Sequence, residues 1–214
     1  MISTDNQNPA IKSGTFNIGG DLKVHRLGFG AMRITGQGIW GAPKNHNEAI
    51  SVLHRALELG ITLIDTADSY GPEISEKLIA EALHPYPEHL IIATKGGFVR
   101  PGPDQWVVNG DPHYLRAACE GSLKRLKLDC IDLYQLHRID PKVPLDDQIG
   151  VLIELQQEGK IRHIGLSEVN VNQIESVRRM TPIASVQNKY NLIDRNSENV
   201  MEYCLPIRLS HNLI

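Results

Sequence analysis

Side chains that can transfer protons stand at the ends of successive apolar runs in this sequence. Asp65 follows ITLI, Lys95 follows LIIAT and His137 follows DLYQL, while Tyr70 comes shortly after Asp65 in LIDTADSYG (63–71). A charged amine beside a phenol stabilises phenolate and lowers the pKa of the hydroxyl, and an ion pair with Asp65 would keep Lys95 charged. A neutral His137 could orient a substrate carbonyl. These residue types together predict acid–base chemistry on a carbonyl compound.

Each of these side chains also has a purely structural explanation. Lys95 could reach solvent from a strand end, and His137 could be a hydrogen-bonded core histidine. Asp68 we interpret as a turn residue, because an aspartate before Ser-Tyr-Gly can hydrogen-bond the local backbone. The functional interpretation therefore rests on the combination of acid, phenol, amine and imidazole, not on any one of them.

One structural unit repeats along the chain, a short apolar run followed by a segment of helical periodicity. TFNIGGDLKVH (15–25) comes first and predicts a β-hairpin around its Gly-Gly pair. The apolar runs that follow lie at 27–30, 61–65, 90–95, 130–137, 161–167 and 183–187. Amphipathic segments separate them, such as NEAISVLHRALELG, whose terminal Gly60 suits a helix C-cap. The pattern predicts about six β/α units after an N-terminal hairpin.

Parallel strands joined by helices form either an open doubly wound sheet or a closed barrel of eight strands. Functional residues concentrate at a switch point in the open sheet, but they follow many successive strands in the barrel. Polar residues follow strand after strand here, namely Asp65, Lys95, His137, Ser167 and Gln187. We therefore predict an α/β fold of the (β/α)8 TIM-barrel type.

Five segments in one order carry a family resemblance. LIDTADSYG, IIATKGG, DLYQLH, IRHIGLSEV and SVQNKYN resemble the successive signatures of the aldo-keto reductases, and the similarity extends from Leu27 to about Tyr203. The resemblance implies a (β/α)8 barrel that binds a nicotinamide cofactor, usually NADPH, and reduces aldehydes or ketones to alcohols. The sequence leaves the choice between NADPH and NADH open.

The resemblance also implies roles for individual residues. The catalytic residues would be Asp65, Tyr70, Lys95 and His137, with Tyr70 donating a proton as hydride passes from nicotinamide to the carbonyl carbon. The cofactor-binding residues would be Ser167 and Gln187 at the carboxamide, together with Asp65, and Met32 and Arg33 in the loop after LGFG.

Two tryptophans are candidates for the substrate pocket. Trp40 and Trp106 lie in loops that follow the first and third predicted strands, where a loop anchor is the structural alternative. The usual Ser-Asn of the family is replaced here by Ser167-Glu168, as in pyridoxal reductase-like members that also read GLSEV. The sequence thus indicates pyridoxal or another small aldehyde as substrate and leaves the choice open.

Two other kinds of site do not fit the sequence. GFGAM resembles the start of a dinucleotide-binding fingerprint, but Arg33 stands where the third glycine belongs and a Gly-rich loop replaces the helix. The nine histidines include no HExxH, so we predict no metal site.

Composition limits the partners. The chain has 214 residues, of which 41% are hydrophobic and 22% charged, and a formal net charge of −3. It has no long basic stripe, which argues against nucleic acid and membrane surfaces as partners and favours a small molecule. Residues 1–14 are polar and do not resemble a secretory signal, so we expect a cytoplasmic protein.

The carboxyl end departs from the family pattern. A complete barrel needs about 250 residues and eight strands, so we predict an incomplete one, with a disordered tail at 1–14, a partial aldo-keto reductase barrel at 15–204 and an atypical tail at 205–214. Pro206, Arg208 and a polar SHN segment stand where the family has an apolar seventh strand. Unpaired strand edges favour self-association, and weak or lost activity is expected. The alternative function is a cofactor-sensing or regulatory subunit without significant turnover.

Overall fold

The strands of the chain are short and most of them are separated by helices. The computed structural model describes residues 8–206 and 209–213. The strands are β1 (Thr15–Ile18), β2 (Leu22–His25), β3 (Phe29–Gly30), β4 (Leu63–Asp65), β5 (Ile91–Gly96), β6 (Phe98–Val99), β7 (Val107–Val108), β8 (Ile131–Leu136), β9 (Ile161–Ser167), β10 (Ser185–Asn188) and β11 (Ser210–Leu213). The helices are α1 (His46–Glu58), α2 (Ile74–Leu83), α3 (Pro112–Leu126), α4 (Leu145–Gln157), α5 (Val171–Arg178) and α6 (Glu198–Cys204).

One parallel sheet organises the molecule. It contains seven strands in the order β3-β4-β5-β8-β9-β10-β11, so the strands of this sheet pair in the order in which they occur along the chain. Strands β6 and β7 form a separate hairpin. A helix lies between each pair of consecutive strands of this sheet. The predicted fold class is therefore confirmed: the sheet is a curled, incomplete barrel with six β/α units, whose ends among the described residues are β3 and β11.

Helix starts are set by local side chains. Asn45, Asp111 and Asn170 each accept a hydrogen bond from a backbone N–H three residues later, which satisfies one of the amides that a helix leaves free at its first turn. At the other end of α1, Gly60 has a φ of +84°, a conformation that glycine adopts without steric cost. The amphipathic segments of the sequence thus carry their own start and stop signals.

The N-terminal hairpin packs inside the base of the curled sheet, at the side opposite the carboxyl ends of the strands. β1 and β2 pair antiparallel as predicted, and buried Ile18 and Val24 pack in a cluster with Leu63, Ala93 and Leu133 of the sheet. Side chains two residues apart in a strand lie on the same face. The residues two positions beyond these three are Asp65, Lys95 and Gln135. The hairpin therefore fills the base of the curled sheet, and polar groups occupy the same face at the carboxyl ends of the strands, called the rim below.

Both ends of the chain differ from simple tails where the structure describes them. Residues 210–213 form β11, which pairs parallel with β10, although the sequence analysis leaves 205–214 as an atypical tail. Pairing uses backbone groups, so polar SHN residues do not prevent it. Residues 1–7, within the predicted disordered tail, and residues 207, 208 and 214 lie outside the described residues. Residues 11–13 form a 3-10 turn, next to which Ala10 N donates to Leu59 O at 3.0 Å.

The helices described by the structure include none that combines the length and apolar character needed to cross a membrane.

Candidate active site

The four candidate catalytic residues meet at the rim. Asp65 is the last residue of β4, Lys95 is the penultimate residue of β5, and His137 directly follows β8. Tyr70 lies in the turn between β4 and α2. Because neighbouring parallel strands end on the same side of a sheet, the fold brings these residues together from distant parts of the sequence.

Backbone hydrogen bonds fix the turn that carries Tyr70. Thr66 N donates to Ala93 O at 2.8 Å and Asp68 N to Lys95 O at 3.2 Å, which ties the turn to β5. Gly71 follows with a φ of +93°, and a Cβ at this position would lie 2.5 Å from Cβ of Ile74. The glycine that follows Tyr70 is therefore a steric requirement of the turn as well as part of a sequence signature.

A buried ammonium is the centre of the site. Lys95 is 1% exposed, and its Nζ donates to Asp65 Oδ2 at 2.6 Å and to the backbone oxygen of Thr66 at 2.9 Å. The hydroxyl of Tyr70 lies 3.5 Å from the same Nζ. A lysine that buries its charge needs such partners, since desolvation of an unpaired ammonium is costly.

The charges in this group act on the pKa of two members. Burial lowers the pKa of Lys95, but Asp65 and Tyr70 outweigh burial and the net direction is upward. Burial raises the pKa of Tyr70, and Lys95 opposes this without overcoming it. The prediction that Lys95 lowers the pKa of Tyr70 below its usual value is therefore wrong, because burial of the phenol outweighs the charge of the lysine. Tyr70 is protonated at neutral pH, as a proton donor must be.

His137 is a neutral imidazole among aromatic rings. Burial, followed by the charges of Lys95 and Arg138, holds its pKa well below the usual range. Its ring centroid lies 5.7 Å from that of Tyr70 and 4.7 Å from that of Phe98, both in edge-on geometry. Ser69 Oγ lies 3.4 Å from Nδ1, and donation from this hydroxyl would leave the imidazole proton on Nε2. A neutral imidazole of this kind can donate a hydrogen bond to a carbonyl oxygen.

Two glutamines complete the surroundings of Asp65. Gln135 Nε2 and Gln187 Nε2 both donate to Asp65 Oδ1, at 3.1 Å and 2.9 Å. Gln187 is a predicted site residue, whereas Gln135 is not predicted from the sequence. A signal was present, since Gln135 stands two residues before His137 and so lies on the same face of β8.

The predicted carboxamide ligands form a polar surface beside this group. Gln187 and Ser167 are register partners on β10 and β9. The Oε1 atom of Gln187 is buried, and the described residues offer it no hydrogen-bond partner. An unsatisfied buried acceptor is costly, so an amide N–H from a ligand would stabilise it. The donors and acceptors here fit a nicotinamide carboxamide.

Arg138 adds a positive charge to the candidate site, and it is not among the site residues predicted from the sequence. Its Nη1 donates to His137 O at 2.6 Å and to Ser167 Oγ at 3.2 Å, and its guanidinium lies over the ring of Phe98. It thus joins the end of β8 to the end of β9. The remaining predicted cofactor residues, Met32 and exposed Arg33, belong to a 3-10 turn after β3 and have no hydrogen bond to the four candidate catalytic residues in the described structure.

The two tryptophans border the site in different ways. Trp106 contacts it directly, with ring centroids 6.3 Å from Tyr70 and 5.4 Å from Phe98. It lies just before β7, which pairs with β6 in a small hairpin that the sequence did not predict. Trp40 is joined to the site through the backbone, as a bridge partner of Gly71. Both loops therefore border the candidate site.

Asp68 belongs to a second polar group next to the candidate site, with Glu76 and Arg125. It is buried, and its Oδ1 has no hydrogen-bond partner among the described residues. Burial and the charge of Glu76 raise its pKa to about 8, although Arg125 opposes them. Arg125 is already paired with Glu76, at 2.6 Å. Asp68 is therefore expected to be mostly protonated at pH 7, which goes beyond the turn role expected from the sequence.

We expect replacement of Asp68 by asparagine to flatten part of the pH dependence of stability. The folded protein holds a proton on Asp68 that the unfolded chain releases above pH ~4. Asp68 should therefore contribute a fall in stability of about 1.4 kcal/mol per pH unit between these two pKa values, complete above pH 8, and the difference between the two proteins isolates this contribution. Asparagine is neutral in both states. Urea unfolding of both proteins from pH 5 to pH 8 measures the difference.

The matched control is Asp129→Asn, which removes an exposed carboxyl. It should leave the pH dependence as it is in the unaltered protein. A constant stability difference between the Asp68→Asn variant and the unaltered protein across this range would show that Asp68 is ionised in the folded state.

Comparisons with known proteins agree with this geometry. The family model "Aldo/keto reductase family" matches residues 26–208. An uncharacterized oxidoreductase of Schizosaccharomyces pombe is 53% identical over 195 residues, covering 91% of this chain and 63% of the relative. Pyridoxine 4-dehydrogenase of Escherichia coli is 38% identical over 198 residues, covering 90% of this chain and 69% of the relative. The chain thus spans about two thirds of the length of these curated relatives.

Solved structures give the same result. The glycerol dehydrogenase of Gluconobacter oxydans matches with a TM-score of 0.85 and 33% identity, over 94% of this chain and 63% of that one. An aldo/keto reductase from Klebsiella pneumoniae, in complex with NADP and acetate, matches with a TM-score of 0.76 and 25% identity, over 92% of this chain and 66% of that one.

Proposed function

Since the chain belongs to the aldo/keto reductase family, we propose that it reduces an aldehyde or ketone to an alcohol with hydride from a nicotinamide cofactor. The observation that carries the proposal is the buried Lys95 ammonium, which lies between the Asp65 carboxylate at 2.6 Å and the Tyr70 hydroxyl at 3.5 Å. A protonated phenol beside a fixed positive charge can give up its proton and remain as a stabilised phenolate.

In this mechanism each side chain has a defined task. The bound cofactor supplies hydride to the carbonyl carbon. Tyr70 donates its hydroxyl proton to the carbonyl oxygen, and the resulting phenolate is stabilised by Lys95 until solvent restores the proton. Neutral His137 donates a hydrogen bond that orients the carbonyl. Asp65 keeps Lys95 charged and in place, with its other oxygen held by the two glutamines.

The cofactor in this proposal is NADPH. Gln187 and Ser167 would hold its carboxamide, and the unpartnered Oε1 of Gln187 supports that role. The Klebsiella pneumoniae structure contains NADP, which supports the phosphorylated form of the cofactor over NADH. Met32 and Arg33 lie in the loop after β3 and are proposed to contact another part of the cofactor.

The substrate in this proposal is pyridoxal or another small aromatic aldehyde. Trp106 and Phe98 place aromatic surface next to Tyr70 and His137, which suits a flat ring. The relative in Escherichia coli is a pyridoxine 4-dehydrogenase, which supports a compound of this class.

A cytoplasmic location stays a prediction from the sequence.

Cofactor binding and turnover should be measured separately on the purified chain. We expect tryptophan fluorescence to change saturably on addition of NADPH, because Trp106 borders the site, and NADPH absorbance to fall when pyridoxal is added. Binding without consumption of NADPH would favour the alternative of a cofactor-sensing subunit. No binding of NADPH or NADH would contradict both functions.

A further inference from the structure

Arg100 connects three loops around the candidate active site through backbone oxygens. Its side chain is 7% exposed. Nη1 donates to Ile39 O and to Ser69 O, both at 3.0 Å, Nη2 donates to Gly38 O at 3.2 Å, and Nε donates to Gln105 O at 2.9 Å. These acceptors belong to the loop after β3, the turn after β4 and the loop after β6.

The same guanidinium lies over both tryptophans. Its carbon lies 3.7 Å from the ring centroid of Trp106 and 5.6 Å from that of Trp40. A planar guanidinium can stack on an indole face while its N–H groups, which point outward in the plane, donate to carbonyls. Lysine cannot do both, because its ammonium is a point charge on a flexible stem.

Arg100 also holds the backbone on both sides of Tyr70. Ser69, whose oxygen it binds, directly precedes Tyr70. Ile39 O accepts from Arg100 and from Gly71 N, which directly follows Tyr70, at 3.2 Å. The Tyr70 turn also has hydrogen bonds that do not involve Arg100, from Thr66 N to Ala93 O and from Asp68 N to Lys95 O, so loss of Arg100 should displace the tryptophan loops more than the candidate proton donor. Arg100 itself has no hydrogen bond to Lys95, Asp65 or His137 in the described structure.

We propose that Arg100 is a positioning residue that holds Trp40 and Trp106 as the walls of the substrate entrance and so determines how firmly a flat aromatic aldehyde is bound. The proposal rests on the proposed function for its substrate. Its structural part, that Arg100 holds the two tryptophan loops, does not depend on activity. Because Arg100 lies outside the Lys95 group, its loss should affect substrate binding more than the chemical step.

The first test measures steady-state kinetics of the Arg100→Lys and Arg100→Met variants with NADPH and pyridoxal. We expect KM for pyridoxal to rise about tenfold or more in both, with kcat changed by less than about threefold, since a displaced wall weakens productive binding. Arg55→Met is the matched control, because Arg55 is an exposed arginine of α1 that pairs with Glu58. The control should leave both constants unchanged.

The second test uses fluorescence, because the chain contains two tryptophans and both lie against Arg100. Quenching by acrylamide should increase about twofold in both Arg100 variants, since guanidinium removal opens the indole faces. It should not increase in Arg55→Met. Arg100→Lys keeps the charge and the aliphatic stem, so it provides a folded variant if Arg100→Met does not fold, as judged by circular dichroism.

The outcomes separate this inference from the proposed function. Unchanged quenching in a folded Arg100→Lys variant would overturn the inference, whatever the activity. Equal loss of kcat and kcat/KM without a rise in KM would also overturn it, because it would place Arg100 in the chemical step. If the unaltered chain does not reduce pyridoxal, the proposed function fails and the quenching result alone decides whether Arg100 holds the loops.

Discussion

Replacement of Tyr70 by phenylalanine is expected to lower the rate of carbonyl reduction by a factor of about 10³ while NADPH binding changes little. The change removes the hydroxyl that lies 3.5 Å from Lys95 Nζ and leaves the ring in contact with Trp106 and His137. Lys95 keeps its hydrogen bonds to Asp65 and to the Thr66 oxygen. The loss of one hydrogen bond should cost about 1 kcal/mol of stability.

The measurement combines NADPH consumption with pyridoxal, cofactor titration by fluorescence, and urea unfolding. Tyr86→Phe is the matched control, because it makes the same chemical change at a tyrosine whose hydroxyl donates to Leu126 O at 2.7 Å. The control should keep full activity. A Tyr70→Phe variant that reduces pyridoxal at the unaltered rate would eliminate Tyr70 as the proton donor. A chain that binds NADPH without turnover, with or without the hydroxyl, would support the cofactor-sensing alternative.

The fold was accessible from the sequence because its signals are local. Apolar runs and helical periodicity depend on neighbouring residues, and the run at 161–167 coincides with β9 while NEAISVLHRALELG (47–60) largely coincides with α1. The meeting of Asp65, Lys95 and His137 followed from one global rule, that parallel strands present their carboxyl ends on the same side. A polar residue after each strand was therefore enough to predict which residues share the rim.

What the sequence did not predict depends on contacts between distant backbone groups or on depth of burial. Arg100 binds four carbonyl oxygens, and a carbonyl acceptor has no signature in the side-chain sequence. β11 likewise forms through backbone pairing of polar residues. The direction of the Tyr70 pKa depends on the balance of burial against the Lys95 charge, and both follow from the three-dimensional packing.

Replacement of Lys95 by methionine is expected to reduce both activity and stability. Methionine fills a similar volume but leaves the Asp65 side chain, which is 17% exposed, without its cation. Loss of one partner from a buried ion pair typically costs about 3–5 kcal/mol, because the remaining charge is uncompensated. Reduction should be lost as well, since no ammonium remains to stabilise the Tyr70 phenolate. Urea unfolding and NADPH consumption measure the two effects.

A double variant separates these two effects. The double variant Asp65→Asn, Lys95→Met also removes the unpaired negative charge of Asp65. We expect it to recover at least about half of the lost stability while activity stays absent. Lys77→Met is the surface control, because Lys77 pairs with Glu73 at 2.7 Å on an exposed face of α2 and such pairs contribute about 0–1 kcal/mol. If Lys95→Met alone were as stable as the unaltered protein, the ion pair between Lys95 and Asp65 would not contribute to the stability of the fold. Lys95 would then be free to act on Tyr70 without Asp65, and the carboxylate would need another role.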